Sequence, residues 1–407
     1  MEKTVNQVSR RRILNAVALG ATSTAAYSTA HRAASPPAEN GPGGVKGIPW
    51  PMEHADARAT NSVPSGQSPA TDRISEKWSV EVESENLLPP VANNDGLIVA
   101  TGRPKISATS IDLETGDRQW ESEIDETTHA PPVAEENNVF VAFDRAITSR
   151  ASDSGNREGK PETPVPESAF LFVDLVATDD HLLFTAESGV LGAIGHGENT
   201  IGWLFEVEYT PVKVAATADT VYLVTKGTPD GCERAGRIHA VDLSSGREVW
   251  SESLPSGARE VGVADGAVVV GIVGGLHAFD PDSGTRLWKR DTKTGSPGFA
   301  IQDDVIVSGG YRHVSAVDWR SGETEWEKQF DSNFISPAIS GDTVFVVGSG
   351  EKGTNWETQI KNLDLASGRQ KATHHLNEER LYGPVVANKS LYVSTDSGNV
   401  YAFNGGK

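Results

Sequence analysis

RIHAVDLSSGREVW, residues 237–250, sets the reading of the whole chain because copies of it recur along most of its length. GLHAFDPDSGTRLW ends at Trp288, HVSAVDWRSGETEW at Trp326, TSIDLETGDRQW at Trp120, and a worn version, GAIGHGENTIGW, at Trp203. The unit reads as a strand, a tight turn and a second strand. From His239 the side chains alternate small or apolar with polar, which is the period of a strand. Asp242 can then accept hydrogen bonds from backbone groups ahead of it, and Gly246 supplies the positive φ that closes the loop. Asn199, where one copy lacks glycine, tolerates the same conformation. Beyond the turn, WSESL from Trp250 is expected to stay extended, with the tryptophan burying a large apolar surface.

A second recurring piece precedes each turn unit: an apolar strand opened by Pro or Gly, a polar turn, then a Val-rich strand. LPPVANNDGLIVAT from Leu88 is the first, and further copies begin at Ala130, Val173, Thr210, Arg259, Ser296, Ser336 and Gly383, which makes eight. Turn positions at Gly116, Gly155, Asn199, Gly246, Gly284, Gly322 and Gly368 lie 38 to 47 residues apart, the length of one four-stranded blade. The eighth unit stops after Tyr401-Ala402-Phe403-Asn404, before its Trp strand, whereas Lys77-Trp78-Ser79-Val80-Glu81-Val82 is a Trp strand with no unit ahead of it. Pairing the two closes a ring and removes open sheet edges. The expected fold is therefore all-β: an eight-bladed β-propeller of four-stranded antiparallel blades, closed by an N-terminal strand that completes the last blade.

With 56 Asp and Glu against 36 Lys and Arg, the net charge of −20 argues against nucleic acid as a partner, since phosphate binding needs clustered cations. Such an acidic surface also suits a protein of a high-salt organism. The single cysteine, Cys232, excludes an internal disulfide, a cysteine-based zinc site and a covalent haem motif.

At the N-terminus, Ser9-Arg10-Arg11-Arg12-Ile13-Leu14 resembles the twin-arginine export signal and leads into an Ala-rich apolar run too short to span a membrane. Residues 1–30 are read as that signal, 31–72 as a flexible Pro/Ala/Gly/Ser-rich spacer whose one apolar spot, Trp50-Pro51-Met52, is either docked on the domain or loose, and 73–407 as the propeller. The protein is expected to be exported folded and to work in the envelope or outside the cell, with no lipid anchor and no membrane span after cleavage.

From about Arg73 onward the chain resembles the PQQ-like repeat family of eight-bladed propellers. The pattern A-x-D-x-x-[ST]-G-x-x-x-W matches residues 240–250, 278–288 and 316–326, while Gly159 and Ala372 stand where Trp is expected in blades two and seven. In size and plan the chain is similar to BamB-like members, and that resemblance implies a non-enzymatic scaffold. The family's enzyme branch would hold pyrroloquinoline quinone and calcium in the central channel. That branch has a larger chain and commonly an adjacent cysteine pair, and neither is present here. The reading is no catalytic residue, no cofactor and no metal, with a quinone-dependent oxidoreductase as one alternative and a carbohydrate- or peptide-binding module as another.

Other candidates read as structure. His239 and His277 share a repeat position with Tyr401, which points to packing, and His374-His375 would face opposite sides of a strand. Asp280-Pro281-Asp282-Ser283-Gly284 is a turn sequence without the glutamate of a calcium loop. Asn388-Lys389-Ser390 is a glycosylation triplet in an expected turn.

Function is sought where the copies fail. Insertions at 226–236, with Cys232, and at 348–358, with Trp356, interrupt the second connection of blades four and seven, and HHLNEERLY (374–382) leads into blade eight on the same face. The longer polar stretch from Gly155 to Phe170 reads as a solvated excursion. Trp356, His374, Arg380 and Tyr382 are the candidate partner-binding residues, and the partner expected is another envelope or extracellular protein.

Overall fold

The computed structural model describes residues 48, 50–69, 72–82, 87–101, 107–123, 130–143, 146–157, 163–164, 172–196, 200–227, 235–291, 298–352, 355–378 and 380–405. Eight antiparallel sheets follow one another: blade 1 over 91–123, blade 2 over 133–164, blade 3 over 172–206, blade 4 over 210–254, blade 5 over 258–291, blade 6 over 299–329, blade 7 over 333–376 and blade 8 over 381–405. The strand Ile74–Glu81 pairs antiparallel with Asn399–Gly405 and supplies the fourth strand of blade 8, as expected. The first strand of each blade lines the axis and the last faces outward. The export signal, Gly159, Asn199 and Cys232 lie outside the described residues. Thr163–Pro164, inside the stretch read as a solvated excursion, is in fact the outer strand of blade 2, paired with Ile147 and Ala146.

The fixed letters of the repeat join one blade to the next. Trp78, Trp120, Trp203, Trp250, Trp288 and Trp326 each cover the turn glycine of the following blade, which are Gly116, Gly155, Gly246, Gly284, Gly322 and Gly368 respectively. Each indole Nε1 also donates to a carbonyl in that turn, at 2.6–3.2 Å. These glycines have φ between 63° and 80°, and a Cβ on any of them would strike the ring. The turn aspartates do what the sequence suggests. Oδ1 of Asp112, Asp242, Asp280, Asp318 and Asp364 accepts the backbone N–H three residues on at 2.7–3.1 Å, which in the Asp280 loop is that of Ser283. One residue is bulged between the turn and each of Trp250, Trp288 and Trp326: Val241 pairs with Glu248, but Ala240 pairs with Trp250. The bulge re-aims the tryptophan toward the neighbouring blade.

The stretch read as a flexible spacer is corrected from Trp50 onward. Residues 50–67 run around the inside of the ring and bond to its inner strands in blade order. Trp50 exchanges both backbone hydrogen bonds with Ala92 of blade 1, and the carbonyls of Pro51, Ala57, Arg58, Thr60 and Asn61 accept the amides of Ala134, Ala216, Val263, Ile301 and Ile339 in blades 2, 4, 5, 6 and 7. Those six residues hold one repeat position, each paired across its hairpin with the residue five places on. Ser62–Val63 then adds a parallel strand to blade 7, and Gln67 accepts the amides of Asn388 and Lys389 in blade 8. The inner strands are sheet edges whose amides need partners, and this plug supplies them. Trp50, Met52 and Ala57 are buried among the inner strands, which is where part of the core sits.

Candidate functional site

The plug bonds near the C-terminal ends of the inner strands, at the end of the ring that also carries the first hairpin turns. The second connection of each blade and the links between blades emerge at the other end. There the 348–358 insertion is not a loose loop. It lengthens the hairpin Thr343–Lys352 and Asn355–Asp364 to ten residues a strand, with Trp356 opposite Glu351. The Trp356 side chain lies outside what the structure describes.

His374 and His375 are on the outer strand of blade 7, Gln370–Leu376, and not in the connection into blade 8. They do face opposite sides. The His374 ring lies 4.9 Å from that of Phe403 in blade 8, and burial lowers its pKa, so it serves the blade 7–8 interface. Arg380 is 60% exposed, with Nη1 3.9 Å from Asp396 Oδ2. Tyr382 begins the inner strand of blade 8, half-buried, and burial together with the Asp396 carboxylate raises its pKa. The link is held by Glu378, whose carboxylate accepts from Tyr401 and Ser397 at 2.6 Å and whose carbonyl accepts from Thr358. The structure therefore gathers Trp356, Arg380 and Tyr382 at one end of blades 7 and 8, while His374 belongs to the packing between them. In blade 4 the 226–236 insertion is closed at its base by the amide of Gly227 and the carbonyl of Ala235.

His239 and His277 are packed as read: both are buried, with His239 against Phe205 and bonded to Glu248 at 2.7 Å. The Nδ2 of Asn388 donates to Glu114 at 3.0 Å, so the amide of the glycosylation triplet is already engaged.

Sequence reasoning missed a buried charge cluster on the axis. Asp174, Lys213 and Glu260 occupy one repeat position, three residues before Ala177, Ala216 and Val263, in blades 3, 4 and 5. Against them the plug places Glu53, His54, Asp56 and Arg58. The Lys213 ammonium bonds Glu53 and lies 3.8 Å from Asp174, and His54 Nε2 lies 3.5 Å from Glu260. His54 Nδ1 meets Asn61 Oδ1 at 3.2 Å, and Arg58 pairs with Asp265 at 2.9 Å. Burial pushes Asp174 up to about 6 and raises Glu260 and Asp56. Burial acts on Glu53 the same way, but Lys213 and His54 outweigh it and its pKa falls. Burial alone would lower Lys213, yet Asp174 and Glu53 drive it up.

The signal was available: a charged residue in an otherwise apolar inner strand, three blades running. This cluster does not fit a quinone tricarboxylate, because the cations it offers are committed to the plug and its carboxylates. Among the described residues no group of three or more His, Cys, Asp or Glu could hold a metal ion, and no helix is long and apolar enough to cross a membrane.

No curated protein sequence matches the chain. Among solved structures, BamB from Moraxella catarrhalis superposes at a TM-score of 0.61 with 16% identity, covering 82% of this chain and 98% of that one. The quinohemoprotein alcohol dehydrogenase from Comamonas testosteroni gives 0.67 and 12%, covering 89% of this chain and 82% of its own, and the computationally designed Ika8 protein gives 0.66 and 15%, covering 81% and 99%. At such identities these likenesses establish the fold alone. A family model described as outer membrane protein assembly factor BamB matches residues 70–252 and 273–371, more than half of the sequence, and the chain belongs to that family.

Proposed function

We propose that the protein is an exported, non-catalytic propeller that binds or assembles other proteins at the cell envelope or outside it, with the twin-arginine motif at Arg10, Arg11 and Arg12 as its route. One observation carries the reading: a lengthened hairpin and the exposed Arg380 stand together at one end of blades 7 and 8, while the charges on the axis are spent on the chain's own plug. An exposed Arg beside a rigid strand pair suits a protein partner. Native envelope is passed over the immobilised protein and over a Trp356→Ala, Arg380→Ala double variant, and bound proteins are identified by mass spectrometry. The double variant is expected to lose the partner with its unfolding midpoint unchanged, and equal capture by both proteins would refute the assignment. Purified protein incubated with pyrroloquinoline quinone and calcium tests the enzymatic alternative, since quinone absorbance that survives gel filtration would favour it.

A further inference from the structure

A groove of about 830 Å³ runs between the outer halves of blades 6 and 7 and reaches the end of the outer strand of blade 5. Its rim is the two-residue turn Tyr311-Arg312 between Val305–Gly310 and His313–Asp318. In blades 3, 5 and 8 the last residue of the corresponding turn is glycine with positive φ, namely Gly189, Gly274 and Gly398, whereas blade 6 places Arg312 there at φ 55°. A non-glycine residue rarely takes up this left-handed conformation. The other described residues of this kind outside the plug have local reasons. Asp303 and Asn388 belong to types that visit the region, and Lys389 donates to Gln67.

Arg312 is tied to the end of the outer strand: its carbonyl accepts the Phe330 amide at 3.0 Å and its Nε donates to the Phe330 carbonyl at 3.4 Å. Its guanidinium also pairs at 3.1 Å with Asp331, whose side chain is 96% exposed, and such exposed pairs contribute little. Tyr311 beside it is 63% exposed, more than any other large apolar side chain described. A guanidinium where other blades have glycine and an uncovered aromatic ring thus stand side by side at one turn tip, and a ligand would use both.

The lining gives its chemistry. Arg290, Arg312 and Lys361 balance Asp291, Glu327 and Asp331, in a chain whose carboxylates exceed its cations by 56 − 36 = 20. Glu327 is bonded to His313 at 2.7 Å, and Lys361 lies over the Phe330 ring at 4.9 Å. Between the charges stand the amides of Gln329, Gln359 and Gln370 and the hydroxyl of Thr373. Planar amides and hydroxyls both donate and accept, which matches the vicinal hydroxyls of a sugar, and a free aromatic face matches its C–H face. Arginine at the rim matches a carboxylate.

We propose that this groove binds an acidic oligosaccharide, with Tyr311 stacked on a sugar ring and Arg312 paired with its carboxylate. The groove adjoins the Trp356 hairpin through Gln359, but neither Trp356 nor Arg380 lines it, so the two assignments are tested by different variants. Calorimetric titration of the full chain with tetragalacturonate tests it, beside cellotetraose as the neutral sugar and a tetraglutamate peptide as the acidic non-sugar. Tetragalacturonate is expected to bind, more weakly at high salt, and at least tenfold tighter than either control. Tyr311→Ala should weaken it at least tenfold.

Arg312→Gly should do the same, since it keeps the turn and removes the guanidinium. No tetragalacturonate binding, equal binding of cellotetraose, or tighter binding of the peptide overturns the proposal. So does an Arg312→Gly variant that binds as before.

Discussion

The indole of Trp78 covers Gly116 so closely that a Cβ on the glycine would stand 2.8 Å from its Cδ2, while Nε1 donates to the carbonyl of Leu113 at 3.2 Å. The N-terminal strand thus closes the ring twice, by pairing within blade 8 and by docking on the turn of blade 1. Gly116 also has φ 80°, so Gly116→Ala meets both strain and collision. It is expected to destabilise by about 2–4 kcal/mol in urea unfolding. Gly66→Ala, with nothing within 4 Å of the added methyl, should stay within about 0.5 kcal/mol of the wild type.

The plug is part of the folded ring. Trp50 is almost fully buried, and Trp50→Ala should cost about 3–5 kcal/mol, read as a shift of the same denaturation midpoint. A midpoint unchanged by the substitution would mean that the segment is not seated in solution.

The axial cluster links stability to pH. The carboxyl of Asp174 is raised to about 6 in the folded protein, above the unfolded value of roughly 3.9. Between those values the folded chain holds a proton that the unfolded chain releases, so this contribution is present at low pH and lost as pH rises through 6. Asp174→Asn should remove about one proton's worth of the slope of stability against pH between 4 and 6, measured by thermal unfolding across that range.

Salt should act on the whole molecule. At a net charge of −20 the folded state repels itself, and screening shortens that repulsion from about 10 Å at 0.1 M to about 3 Å at 1 M. The unfolding midpoint is expected to rise with potassium chloride over this range.

Eight copies made the ring legible. A turn aspartate, a glycine and a tryptophan recur at fixed spacing because each must fit the next blade, and Trp78 could be assigned to blade 8 because its unit was missing. The plug had no such signal. Its bonds to the ring fall at residues 50, 51, 57, 58, 60 and 61, and Ala55, Ala59 and Asn61 are left-handed, so neither strand nor helix period survives. The alternation of buried Ala55, Ala57 and Ala59 beside Trp50-Pro51-Met52 was its one trace. At the candidate site the sequence located the unusual segments, but whether His374 faced solvent or Phe403 depended on how the neighbouring blades 7 and 8 pack.

In the sequence the repeat's tryptophan is replaced at two of the eight positions, by Gly159 in blade 2 and Ala372 in blade 7. The six tryptophans therefore tie the blades into two arcs, one of blades 8, 1 and 2 and one of blades 3 to 7. The plug bonds to both arcs, through Ala92, Ala134 and Lys389 on one and through Ala216, Val263, Ile301 and Ile339 on the other. It works as a hoop that crosses both junctions, fastened by backbone hydrogen bonds to an arc on either side.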